Sequence, residues 1–338
     1  ETSYDDLGRL LATSHVLSND SVSDQWNVRY YYNQNADFTQ SGQVRLISGE
    51  YKGFNGVYQM YDYDANGNVS HTYDGKTQKH RYYHYDGLNQ LVREDNEDAY
   101  LSTVYSYDNG GNILSKTVYA YNAGNLGSSL YTVNYGYNDV VWGDKLTSYN
   151  GQTISYDNIG NPLSYRNGMS FTWEHGRQMK TFTNSEGSTW EYTYDNSGYR
   201  TKKKLLNTTY EYMLDGSQVV CMKTPTRTVW FYYDAGGQRV AIDVGGTVYY
   251  YIYNLMGDVV GLYDGSGNVV ARYAYDAWGK ILSMKDGSGN AINSTATPDA
   301  PGVINPFRYR GYMYDDESGL YYLNSRYYDP VMCRFVNA

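Results

Sequence analysis

The sequence predicts an all-β protein built as an array of antiparallel hairpins. Three observations carry this. Tyrosine supplies 44 of the 338 residues, and tyrosine is favoured in strands. Thirty-five glycines, with abundant Asn and Asp, supply the turn residues between those strands. Above all, one phrase recurs along the chain: an aromatic residue and Asp, two variable residues, Gly, a polar residue and an apolar pair.

The copies run in order. YDDLGRL (4–10) comes first, then YDANGNV (63–69), YDGLNQLV (85–92), YDNGGNIL (107–114), YDNIGNPL (156–163), YDNSGYR (194–200), YDAGGQRV (233–240), YNLMGDVV (253–260) and YDAWGKIL (275–282). YNDVVWGDKL (137–146), WEHGRQM (173–179) and YMLDGSQVV (212–220) are degenerate copies. Most lie about twenty residues apart, with one longer step. That step contains AYNAGNLGSSLY (120–131) and reads as one hairpin with a longer tip.

Alternating residues flank each Gly-containing break, which is the pattern of a β-hairpin. A type I turn followed by a left-handed residue places Gly at the end of the loop, and Asp suits its first position because its carboxylate accepts backbone N–H groups. The expected turn residues are Asp64 and Gly67, Asp86, Asp108 and Gly111, Asp157 and Gly160, Asp195 and Gly198, Asp234 and Gly237, and Asp276 and Gly279. A core with this much tyrosine must be amphipathic, since each buried hydroxyl needs a partner.

One copy imitates a metal site. Asp62, Asp64, Asn66 and Gly67 match the first half of an EF-hand loop. The twelfth position, where calcium needs a bidentate Glu, is Tyr73. The flanks lack helical periodicity, and other copies hold His84, Ser106, Ser155 and Thr193 where this one has Asp62. A turn is the better reading, and no metal or cofactor is expected. Among the five histidines, His80 and His84 have helical metal-site spacing, but on a strand that spacing separates them by about 13 Å.

Composition excludes several classes. The net charge is −9 and the cations are scattered apart from Lys202, Lys203 and Lys204, which disfavours a nucleic-acid binder. There is no apolar run long enough for a membrane helix. The opening ETSYDDLGRL lacks the regions of a signal peptide and reads as an internal stretch of a longer chain. Cys221 and Cys333 are too few for a disulfide framework.

The repeat resembles the YD repeat of the RHS/teneurin family. The C-terminal stretch NPFRYRGYMYDDESGLYYLNSRYYDPVMCRFVNA (305–338) is similar to the RHS repeat-associated core of bacterial proteins in that family. The matching positions are Arg310, Gly311, Tyr314, Asp315, Glu317, Gly319, Leu320, Tyr321, Tyr322, Arg326, Tyr327, Tyr328, Asp329, Pro330, Arg334 and Phe335. Cys333 departs from the pattern, which usually has Gly there; a left-handed backbone at that place costs Cys on the order of 1 kcal/mol.

The resemblance implies a hairpin strip (1–283) coiling into a hollow spiral β-shell, a loop linker (284–304), and a core segment (305–338) acting as cap or plug. About 28 strands spaced about 4.8 Å apart give a strip roughly 130 Å across, close to one turn of a ring about 40 Å wide. The cluster Asp315, Asp316, Glu317 reads as the acidic side of a turn paired with Arg308, Arg310 or Arg326.

For function, the resemblance implies a secreted or cell-surface bacterial shell that encloses and delivers a C-terminal polymorphic toxin. Its partners would be the rest of its own chain, that cargo, and an immunity protein, surface partner or glycan. The alternative is a teneurin-like adhesion or carbohydrate-binding module. Self-cleavage in the family uses aspartates in segments after the R-F motif, whereas Asp329 precedes Arg334 and Phe335. These residues are therefore not expected to encode an enzyme.

Overall fold

In a computed structural model, residues 2–16, 25–34, 40–51 and 54–337 are described. Strands dominate throughout. They form a 13-stranded sheet from Thr2–Tyr4 to Gln152–Thr153, a 12-stranded sheet from Ser170–Glu174 to Ile281–Asp286, and a four-stranded sheet from Met313–Asp315 to Arg334–Phe335. Within each sheet every neighbour in space is a neighbour in sequence, and the pairings are antiparallel. Short bridges at Tyr156–Pro162 and Ser164–Ser170 carry the meander from the first sheet to the second.

The turns are local in origin. In the copy at 64–68, the Asp64 N–H donates to the Asn68 carbonyl and the Gly67 N–H returns to the Asp64 carbonyl. One carboxylate oxygen of Asp64 accepts the N–H groups of Asn66 and Asn68 at 2.9 and 2.8 Å. Gly67 has φ +86°, a conformation that costs a residue with a Cβ. Asp108–Gly111, Asp157–Gly160, Asp195–Gly198, Asp234–Gly237 and Asp276–Gly279 repeat these backbone bonds, and in the Asp86 turn Asn89 takes the left-handed place at φ +61°. A register shift beside the Tyr that precedes the Asp, as at Asp62/Tyr63 and Ala274/Tyr275, accompanies each bulged turn.

Between turns, tyrosine hydroxyls tie consecutive hairpins together. Tyr85 donates to the Val69 carbonyl, Tyr107 to Leu91, Tyr233 to Val219, Tyr253 to Arg239 and Tyr275 to Val259. Each acceptor is the first or second residue of the strand that follows the preceding turn. In the degenerate copy at 173, the indole N–H of Trp173 reaches the Pro162 carbonyl at 2.7 Å and takes the same role. The stretch at 120–131 differs from the expected long tip: the strands Ile113–Asn122 and Asn125–Gly136 extend almost to each other, and the extra length is strand.

The strip winds past one turn. Side chains Val44, Ile47 and Tyr61 of the first sheet share a core with Ile252 and Tyr263 of the second. The Leu255 N–H donates to the Tyr61 hydroxyl, Arg81 donates to the Tyr275 carbonyl, and the Ala277 N–H donates to Glu94. These partners lie 194, 194 and 183 residues apart. The coil is thus tighter than the ring expected from strand count. The other face of the second sheet, with Phe231, Ile242, Tyr251 and Tyr273, packs on the C-terminal segment through Phe307, Met313 and Leu320.

Candidate functional site

The place where the C-terminal segment seats in the wall concentrates the buried charge of the described residues. It starts from a substitution inside the repeat. The residue five after the turn Asp is apolar in Val69, Leu91, Ile113 and Ile281, where it packs into one of the two hydrophobic clusters; after Asp195 it is Arg200. Arg200 is 1% exposed. Its guanidinium grips the Asp315 carboxylate in a two-pronged pair at 2.5 and 2.9 Å. The rings of Tyr192, Tyr212 and Tyr322 surround it, and its backbone N–H donates to the Tyr322 hydroxyl at 2.8 Å.

Lys203, on the same strand Arg200–Leu205, adds a second cation. Its ammonium lies 3.3 Å from Asp315 and 2.9 Å from Glu317, over the rings of Trp190 and Tyr210. Burial alone would raise the Asp315 carboxyl, but Arg200 and Lys203 hold it below the usual carboxylate range. Glu317 goes the other way: burial, with the neighbouring Asp315 charge, lifts it despite Lys203. A second wall–core pair joins Arg166 to Asp329 at 2.5 and 3.1 Å, with both side chains at most 5% exposed. Asp329 also accepts the N–H groups of Val331 and Met332.

The acidic cluster therefore has other partners than the core arginines expected from the sequence. Arg308 lies over Tyr273 and donates to the Gly302 carbonyl. Arg310, at φ +54°, pairs with Asp258, while Arg326 lies over the Phe335 ring. Local spacing suggested partners within the segment; its cations are instead spent on other contacts, and the wall supplies the counter-charges. The signal was present in the repeat as Arg at an apolar position, in Arg200 and again in Arg239, which packs on Phe307 and donates to the Gly311 carbonyl.

The remaining core residues bind the wall mostly through hydroxyls. Tyr321 donates to the Gly279 carbonyl and Tyr328 to the Trp278 carbonyl; the Tyr327 hydroxyl pairs with that of Tyr194. Arg334 donates to the Tyr137 hydroxyl and the Asp144 carbonyl. Gly311 and Gly319 have φ +67° and +69°, Leu320 is buried, and Tyr314 lies against Tyr321. Pro330 offers its carbonyl to the thiol of Cys333, which has φ +57° and is buried. Burial pushes that thiol up to about 12.

The histidines have separate places. His80 meets His71, not His84: the two rings join edge to edge through nitrogens 2.9 Å apart, and Asp62 binds the other nitrogen of His71 at 2.8 Å. Asp64, meanwhile, is engaged by its own turn, where the Asn68 side chain and backbone hold its carboxyl below the usual range. Among the described residues, no group of three or more His, Cys, Asp and Glu is placed to hold a metal ion, and no helix is long and apolar enough to cross a membrane.

Comparison with known proteins places this geometry. No family model matches the chain. It is 35% identical over 253 residues to the tRNA3(Ser)-specific nuclease WapA of Bacillus spizizenii, covering 73% of this chain and 10% of that one. It is 34% identical over 253 residues to the tRNA nuclease WapA of Bacillus subtilis, with the same coverage. The chain thus spans about a tenth of the length of these curated relatives. Among solved structures, TcdB2-TccC3 superimposes over 100% of this chain and 18% of its own, with a TM-score of 0.70 at 18% identity. A Tc holotoxin pore of Photorhabdus luminescens does so with a TM-score of 0.71 at 18% identity, over 17% of its own length.

The fold and the seated C-terminal segment define a coiled β-hairpin shell. With these relatives, the chain is an RHS-like protein of the toxin-associated kind.

Proposed function

We propose that this chain is the shell segment of a bacterial RHS/YD-repeat protein that encloses a C-terminal polymorphic toxin and delivers it. The observation that carries this is the Arg200–Asp315 pair, which fixes the C-terminal segment inside the coiled wall from 115 residues away. A segment anchored by buried ion pairs can close a compartment around whatever chain lies in it. The nuclease activity named for the WapA relatives belongs to much longer chains, and we assign the residues here a structural role. We read 1–283 as the hairpin array, 284–304 as the linker and 305–338 as the core segment, with the turn and core residues named above as structural determinants.

The partners on this reading are the rest of the same polypeptide and its toxin cargo, with an immunity protein or a surface glycan as outside partners, and the setting is secreted or cell-surface. The test is limited proteolysis of the natural full-length protein. The region downstream of the core should resist cleavage in the wild type and become cleavable when Asp315→Ala and Asp329→Ala unseat the segment. Equal cleavage in both would count against the reading. Saturable binding of the intact wall to a glycan array would instead favour the adhesion alternative.

A further inference from the structure

A cavity of about 510 Å³ lies where the strip overlaps itself, between the strands Val69–Asp74 and Lys79–Tyr85 on one side and Val269–Tyr275 and Ile281–Asp286 on the other. That volume is in the range of small-molecule sites. Its polar lining is lopsided. Four carboxylates reach it, and each is already engaged: Asp74 by the N–H groups of Lys76 and Thr77, Asp98 by Arg81, Asp258 by Asn254 and the Arg310 N–H, and Asp276 by the N–H groups of Trp278 and Lys280. Arg272 and Lys285 also line it, and neither side chain has an ion-pair or hydrogen-bond partner among the described residues.

These two cations stand directly opposite each other on paired strands. Like charges in that relation destabilise a sheet. In a chain of net charge −9 with 36 acidic residues, counter-charges are plentiful, yet this pair has none. Lys76 lines the facing wall, likewise with no partner for its ammonium among the described residues. An arginine fork beside a lysine point charge matches a phosphate dianion in both charge and donor geometry. Tyr58 and Tyr73, with Trp278, offer ring faces for an organic body, and the two tyrosines add hydroxyls.

We propose that this cavity binds a small organic phosphate, held between Arg272 and Lys285, and that the bound molecule clamps the two layers of the coil. A ligand that contacts both layers stabilises the overlap by mass action. The proposal is independent of what the shell encloses.

The experiment is calorimetric titration of the folded chain with pyrophosphate and with ATP, using citrate as a carboxylate control and thermal unfolding as a second readout. One-to-one binding of pyrophosphate or ATP is expected, with a raised Tm, and about tenfold or weaker binding in the Arg272→Gln/Lys285→Gln double variant. The unliganded Tm of that variant should be unchanged or higher, because the like-charge contact is gone. Absence of binding at millimolar ligand, equal affinity in the double variant, or citrate binding as tightly as pyrophosphate would each overturn the assignment.

Discussion

Arg200 and Asp315, 115 residues apart, form a doubly bonded ion pair in which neither side chain is more than 1% exposed. Such a pair is costly to halve. Asp315→Asn leaves Arg200 and Lys203 buried without their counter-charge and should lower stability by about 3–5 kcal/mol. The double variant Arg200→Met/Asp315→Leu removes both charges and should be clearly more stable than Asp315→Asn. Urea unfolding of the three proteins measures this; a double variant no better than the single one would refute the account.

How much of this could be read from the sequence differs by element. The hairpins were legible because each turn is made by its own residues: Asp64 caps the loop that Gly67 closes, and no distant group is needed. The core segment was legible as a motif, but its docking was not. Asp315 looks like turn chemistry beside Glu317 and Gly319, and only the coiling of the strip brings Arg200 and Lys203 to it. The overlap between Tyr61 and Leu255 was also hidden, since it depends on the summed curvature of many strands.

The overlap carries a pH signature. Glu94 is 2% exposed and accepts the Ala277 N–H across the two layers. Burial, with the nearby Asp276 charge, pushes its carboxyl up to about 7. A carboxyl raised on folding favours the folded state while protonated, so its contribution is full below the usual carboxylate range and is lost as pH rises through about 7. Asp315, lowered on folding, behaves oppositely and loses its contribution only in stronger acid. Between pH 5 and 8, Glu94→Gln should flatten the decline in stability by roughly 1–3 kcal/mol. Parallel wild-type and variant curves across that window would contradict this.

The tyrosine ties predict small, independent losses. Tyr107→Phe orphans the Leu91 carbonyl and Tyr233→Phe the Val219 carbonyl. Each should cost about 1 kcal/mol, and the pair should be additive because the sites share no contact. Trp173→Phe, which orphans the Pro162 carbonyl, should cost more, since indole bulk is lost as well. Chemical denaturation decides it; a neutral Tyr107→Phe would mean that the hydroxyl is dispensable.

Both cysteines should be silent in the native protein. Cys221 and Cys333 are buried, and burial raises both thiols, Cys333 to about 12. The thiolate is the reactive form. A chromogenic disulfide reagent at pH 8 should therefore titrate no thiol within minutes and two after unfolding in guanidinium. One fast thiol in the folded state would show that Cys333 or Cys221 is reachable.

Two turn glycines with nearly the same backbone separate conformational strain from the seating of the core. Gly257 has φ +80° and open space where a Cβ would be; Gly279 has φ +87°, but a Cβ there would come within 2.4 Å of the Tyr309 ring. Gly257→Ala should cost only the left-handed penalty, about 1 kcal/mol. Gly279→Ala must also displace Tyr309, whose hydroxyl holds the Ala277 carbonyl, and should cost at least twice as much. Tyr309→Ala in the Gly279→Ala background removes the clash, so the two changes together should cost less than their sum. Additive losses, measured by thermal and urea unfolding of the four proteins, would show that the core does not press on this turn.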